Sequence, residues 1–245
     1  MDRIVVGMSG ASGIAYGVRL LEALREQPVE THFVATDSAQ LVHQYECDGD
    51  WADVEALADV VHPNNDVAAS IASGSFRARA MVIVPCSMDT LGKLAAGVND
   101  NLLTRAGAVM LKERRPLILV PRETPFSHIH IETRRRLSTA GAIIAPAAPA
   151  FYNRPQSLDD NVNFIAGRVL DLLGLVLPGI IAIVVLMLLA ILWTNTAEVV
   201  VVAALYEFAK TGEMPDLDGA GKQVQERLGW DNESPEMVAW RKGTA

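Results

Sequence analysis

Short apolar runs alternate with longer stretches of helical spacing along the first 174 residues. Ile4–Val6, Thr31–Ala35, Met81–Val84, Leu117–Val120 and Ala142–Ala145 are rich in aliphatic and β-branched residues, each bounded by Gly, Pro, Ser, Asp or Thr. They read as strands, because near-continuous apolarity suits a sheet covered on both faces. Helical spacing predicts helices over Ile14–Glu26, Ser38–Glu46, Asp53–Ala58, Asp66–Ala72, Leu91–Ala96, Leu102–Arg114, His128–Thr139 and Leu158–Leu173. This alternation defines an α/β fold, a doubly wound parallel sheet.

The pattern changes at Gly174. No charged residue occurs from Leu172 to Ala197, and Leu175–Trp193 reads LVLPGIIAIVVLMLLAILW. Nineteen residues extend about 28 Å as a helix, close to the ~30 Å of a bilayer's hydrocarbon core. A membrane anchor and a helix buried between subunits of an oligomer both account for it. Asn195 and Glu198 are spaced as a capping box ahead of a second apolar stretch, Val199–Phe208. Three segments are expected: an α/β domain over 1–174, an apolar helical extension over 175–210, and a polar tail over 211–245.

Half of the 245 residues are apolar and the net charge is -8. Such a chain has enough apolar surface to fold, and its acidic balance argues against a general nucleic-acid binder. The mean hydropathy of +0.22 is high for a water-exposed enzyme, and the extension carries the excess. Cys47 and Cys86 stand far apart and build neither a disulfide framework nor a Cys-rich metal site. They are expected to be thiols in a reducing cytoplasm. The apolar run in MDRIVVGMSG is too short for a signal peptide, so folded protein is expected from residue 1 onward.

Candidate chemistry gathers where strands end. The first strand runs into Gly7-Met8-Ser9-Gly10-Ala11-Ser12-Gly13 and then a helix. Small residues let backbone approach an anion, and the helix N-terminus offers free N–H groups, so the loop suits a phosphate-bearing ligand. A tight turn without a ligand fits the same residues, since G-x-x-G-x-x-G is not the dinucleotide fingerprint. After the third strand comes Pro85-Cys86-Ser87-Met88-Asp89-Thr90, whose hydroxyls suit a phosphate or flavin; an ordinary helix cap at Ser87 or Asp89 is equally compatible. Cys86 reads as a buried small residue. The next loop pairs Arg122 with Glu123, a phosphate-holding cation beside a proton carrier. His128 and His130, two apart on a helix, cannot share a face for a metal, and Arg134–Arg136 reads as surface. Tyr152 lies in a Pro-rich loop after the last strand, and Arg168 in an otherwise apolar helix. Four strand-end loops thus bring together hydroxyls, cations and a carboxylate, which fits two phosphorylated ligands and no metal.

GMSGASGIAYGVRLL, PCSMDTLGKLAAGVNDNLLTRAGAVMLKERRPLILVPRETPFS and APAAPAFYNRPQS closely resemble the flavin prenyltransferases of the UbiX family, over about 3–174. The resemblance implies a Rossmann-like flavoprotein that moves a dimethylallyl group from dimethylallyl monophosphate, or in some members the pyrophosphate, to N5 and C6 of reduced FMN. It also implies a dodecamer with sites at subunit boundaries, and a UbiD-type decarboxylase as recipient of prenylated FMN. Matched residue by residue, it puts Gly10, Ala11, Ser12, Thr36, Ser87, Met88, Asp89, Thr90 and Arg122 on FMN, with Glu46 beside the flavin ring. Lys112, Arg122, Tyr152 and Arg168 match the shell around the prenyl phosphate, with Arg105 nearby. Glu123 and Ser12 match a pair that moves protons. Family chains end soon after the Arg168 helix with a tail that carries an aromatic residue, and here the apolar run stands instead. Two alternatives share the fold: an FMN-dependent decarboxylase of cysteinyl peptides, for which His43 lies near the required histidine, and a non-catalytic flavin-carrying subunit.

Overall fold

A computed structural model describes residues 1–175, 187–189 and 191. Six parallel strands form one sheet: β1 (Asp2–Met8), β2 (Val29–Ala35), β3 (Val60–His62), β4 (Ala80–Cys86), β5 (Leu117–Pro121) and β6 (Ile143–Ile144), ordered β3-β2-β1-β4-β5-β6. Among residues 1–175 seven α-helices are interleaved: α1 (Ile14–Arg25), α2 (Asp37–Glu46), α3 (Trp51–Glu55), α4 (Met88–Ala96), α5 (Leu102–Lys112), α6 (His128–Thr139) and α7 (Leu158–Leu172). The doubly wound sheet expected from the alternation of runs is therefore present.

Alternate side chains of the central strands feed two cores, as the two-residue period of a strand requires. Ile4, Val6 and Met8 with Val82, Val84, Ile118 and Val120 meet Leu20, Leu21 and Leu24 of α1 and Ile165 and Val169 of α7. Val5, Met81, Ile83, Leu117 and Leu119 meet Leu91 and Leu94 of α4, Leu102, Leu103 and Met110 of α5, and Leu137 of α6. Every residue of β4 and β5 is buried. Gly17 lets α1 lie flush on the sheet, because a Cβ there would stand 2.4 Å from the Val84 carbonyl oxygen.

Several bounds shift by a few residues, and three elements differ more from expectation. β3 has no counterpart among the expected strands: Val60–His62 is three residues long, partly exposed, and pairs with β2 alone at the edge of the sheet. The helix expected over Asp66–Ala72 is a series of turns ending in a 3-10 helix at Ser70–Ala72. Asp66 spends its side chain on the Ala68 amide, which favours a turn over helix propagation. The third helix starts earlier than expected, at Trp51, because Asp50 and Asp53 make a capping box.

α7 stops where the composition shifts. Gly174 adopts φ +69°, and the Leu175 amide reaches back to the Leu170 carbonyl, the left-handed helix end that glycine favours. At the amino edge of the sheet, Arg79 binds Asp2 at 2.8 Å and donates to the carbonyls of Leu173 and Gly174. The chain divides into two units, Met1–Leu177 and Pro178–Ala245. Met187–Leu189 and Ile191 are helical. The rest of 176–193, the capping-box pair Asn195 and Glu198, the stretch Val199–Phe208 and the 211–245 tail lie outside the described residues, and with them the expected apolar helical extension and polar tail. Among the described residues no helix is long and apolar enough to cross a membrane.

Candidate active site

Strand order reverses between β1 and β4, and the loops leaving their carboxyl ends flank a crevice where open α/β sheets take ligands. Ser9, fully buried, joins the two loops. Its amide donates to the Pro85 carbonyl at 3.1 Å, its hydroxyl donates to the same oxygen at 3.3 Å, and its Oγ accepts the Ser87 amide at 2.7 Å. Ser87 then caps α4: its Oγ accepts from the Thr90 amide at 3.2 Å and donates to Thr90 Oγ1 at 3.1 Å. Thr36 caps α2 through the Ala39 amide, and its own amide is held by the Met8 carbonyl at 3.0 Å. The Gly loop, Thr36 and the Ser87–Thr90 turn therefore form one hydrogen-bonded frame. Gly10 is needed in it, since a Cβ would come within 2.4 Å of Ser38. Cys86 is buried beneath the frame, and desolvation pushes its thiol far above the ordinary range, so it serves as packing.

The N-terminus of α1 departs from the sequence expectation. Its amides do not wait for a phosphate: Glu46 Oε2, at the end of α2, accepts from Gly13 at 2.7 Å and Ile14 at 3.1 Å. A carboxylate there answers the partial positive charge of the helix end. Partial burial opposes ionisation of Glu46. Hydrogen bonds from Ser12, Gly13 and Ile14, with the charge of Arg122, outweigh it and hold the carboxyl below its usual value. Ser12, Glu46 and Arg122 thus form one electrostatic group, and an anion is left to the first turns of α2 and α4. The amides of Gly10, Ser12, Met88 and Asp89 enter no backbone hydrogen bond among the described residues. These open donors, with the two capping hydroxyls, fit the hydroxyls and phosphate of a flavin nucleotide.

The remaining sequence candidates are less gathered. Arg122 and Glu123 are exposed at the end of β5, where Glu123 accepts from the Thr124 amide at 3.0 Å. Tyr152 is 84% exposed, its ring edge-on to Phe164 of α7. Arg168 is exposed and leans on Asp171 at 3.6 Å. Arg105 donates to the Ala72 carbonyl at 3.1 Å. Lys112 ends α5 at the amino edge of the sheet, paired with Glu113 at 2.6 Å, and so stands at the opposite end of the strands from Arg122. One chain by itself does not bring Lys112 to Arg122. His43 is buried against the Trp51 ring rather than turned to the crevice loops. His130 closes the cap of α6 with Ser127, and Arg134 lies over the Phe126 ring.

Ser9 was the residue that sequence reasoning passed over. Its only signal was its place between two glycines of the loop, which describes backbone and not partners.

The profile of the Flavoprotein family matches residues 1–169. The flavin prenyltransferase UbiX of Escherichia coli K12 is 50% identical over 179 residues, covering 73% of this chain and 95% of that protein. UbiX of Thermoplasma acidophilum is 52% identical over 172 residues, covering 70% of this chain and 94% of its own. Among solved structures, AnUbiX in complex with FMN and dimethylallyl pyrophosphate aligns with TM-score 0.70 at 49% identity, over 71% of this chain and 93% of that one. A dodecameric FMN-dependent UbiX-like decarboxylase from Escherichia coli O157:H7 aligns equally well, with TM-score 0.70 and 49% identity over 71% and 95%. The chain belongs to the Flavoprotein family and, within it, to the flavin prenyltransferases of the UbiX kind.

Proposed function

We propose that this chain is a flavin prenyltransferase that takes the dimethylallyl group of a dimethylallyl phosphate to N5 and C6 of reduced FMN. The observation that carries the reading is the crevice frame itself, in which Thr36, Ser87 and the Gly loop present hydroxyls and open amides while Glu46 occupies the neighbouring helix end. Reduced FMN supplies the electron-rich ring that accepts the prenyl group. Gly10, Ala11, Ser12, Thr36, Ser87, Met88, Asp89, Thr90 and Arg122 would hold it, with Glu46 beside its ring.

The allylic C–O bond breaks with its electron pair going to phosphate, and the charge growing on that phosphate needs fixed cations and a proton. Lys112, Arg122, Tyr152 and Arg168, with Arg105 behind them, are the groups of this chain suited to bind it. Glu123 would give the leaving phosphate its proton, and Ser12, hydrogen-bonded to Glu46, would pass on the proton released at C6. Because Lys112 lies at the far end of the sheet, a second subunit is the natural source of that cation, in keeping with a homo-oligomer of dodecameric type. A UbiD-type decarboxylase would receive the product. The place of work would be the cytoplasm, and association with a membrane through 175–193 belongs to the same proposal.

Incubation with reduced FMN and dimethylallyl monophosphate, or the pyrophosphate, tests the reading through the mass of the flavin. A gain of one five-carbon unit is expected. Unchanged flavin with both donors would point to the decarboxylase or carrier alternatives.

A further inference from the structure

We infer that Ser9 is the positioning residue of the flavin cradle, setting the spacing between the Gly loop and the Ser87–Thr90 turn on which FMN affinity depends. This rests on the FMN reading above. Ser9 is 0% exposed, so its hydroxyl meets no ligand and acts through its neighbours. All of its polar groups are committed within the frame: the amide and hydroxyl to the Pro85 carbonyl, Oγ to the Ser87 amide, and the carbonyl to the Ala11 amide at 2.7 Å. Three of these four bonds cross from β1's loop to β4's, over a sequence distance of 76 to 78 residues.

The consequence is geometric. The Ser87 amide is the last donor before α4 begins, and its bond to Ser9 fixes where the cap and the open Met88 and Asp89 amides point. The Ala11 bond likewise fixes the turn that aims the Gly10 and Ser12 amides. Removal of the hydroxyl leaves a Ser87 N–H without its partner beside a fully buried site, and the two sets of donors lose their common reference. A ligand that must engage both sets then has to order them on binding, which weakens affinity and leaves the bound-state chemistry alone.

Full-length wild type, Ser9→Ala and Val82→Ala give the test, with FMN affinity read by fluorescence quenching and prenyl transfer read at varied FMN. Val82 is equally buried, in β4, and belongs to the core shared with α1 and α7. Ser9→Ala is expected to weaken FMN about tenfold, ~1.4 kcal/mol, with KM for FMN rising in step and kcat at saturating FMN unchanged. Val82→Ala should lower Tm without that loss of affinity. Equal FMN affinity in Ser9→Ala and wild type, or an equal loss in Val82→Ala, would overturn the role. Hydrogen exchange at the Ser87 amide of wild type needs no variant: protection without FMN is expected, and rapid exchange would also overturn it. Failure of wild type to bind FMN would instead defeat the functional reading itself.

Discussion

The two halves of the crevice are built differently. On the β1–β4 side, Ser9, Thr36, Ser87, Thr90 and Glu46 are held by hydrogen bonds, those of Thr36 and Thr90 within helix caps and those of Ser9 and Glu46 between segments far apart in the chain. On the β5–β6 side, Arg122, Glu123, Tyr152 and Arg168 are exposed, and Lys112 stands at the other end of the sheet. One chain therefore fixes the hydroxyls and amides of the proposed flavin side by hydrogen bonds and offers the proposed phosphate side as exposed side chains. Preorganisation is most useful where a ligand must be held throughout, and less so where phosphate enters and leaves at each turnover.

Breaking the groups proposed to meet the prenyl phosphate should cost the most. Glu123→Gln is expected to lower prenyl transfer by about 10²–10⁴-fold, and Lys112→Ala by about 10²-fold. FMN binding should survive in both, measured by flavin fluorescence. Full turnover in both variants would dissolve the contrast between the halves. On the other side, Gly17→Ala should cost about 1–3 kcal/mol of stability in a thermal melt, by pushing α1 off the Val84 carbonyl and Met8. It should weaken FMN as well, because Pro85 anchors Ser9 next to that contact.

The smallest effect belongs to Glu46→Gln. Its folded carboxyl sits below the ordinary value, so its stabilisation is present above the unfolded pKa of about 4.5 and fades as pH falls through the lower folded one. The variant should lose about 0.5–1 kcal/mol at pH 7, a figure that allows for solvent screening at an exposed group. The gap to wild type should close as the pH is taken down toward 3 in urea titrations. A gap that stays constant with pH would mean that Glu46 supports α1 by shape and not by charge.

Much of this was legible in the sequence because burial writes itself into periodicity. β4 and β5 are continuous apolar runs, β1 holds one in Ile4–Val6, and the stop of α7 at Gly174 shows in the composition. β3 was hidden because three residues at a sheet edge carry too short a pattern. The crevice divides in the same way. The caps at Thr36 and Ser87 follow from local chemistry, whereas Glu46 meets Gly13 across 33 residues, a contact that no local pattern encodes. Resemblance alone put Glu46 in the site, and neither route found Ser9.

Arg79 has one more implication. By gripping Asp2 together with the two carbonyls that follow α7, it makes the first residue of β1 and the end of that helix a single knot. That knot is tied at the amino edge, while the ligand crevice opens at the carboxyl edge. A pull on the chain at Gly174 is taken up there first, as a load on a mooring, before it reaches the crevice loops.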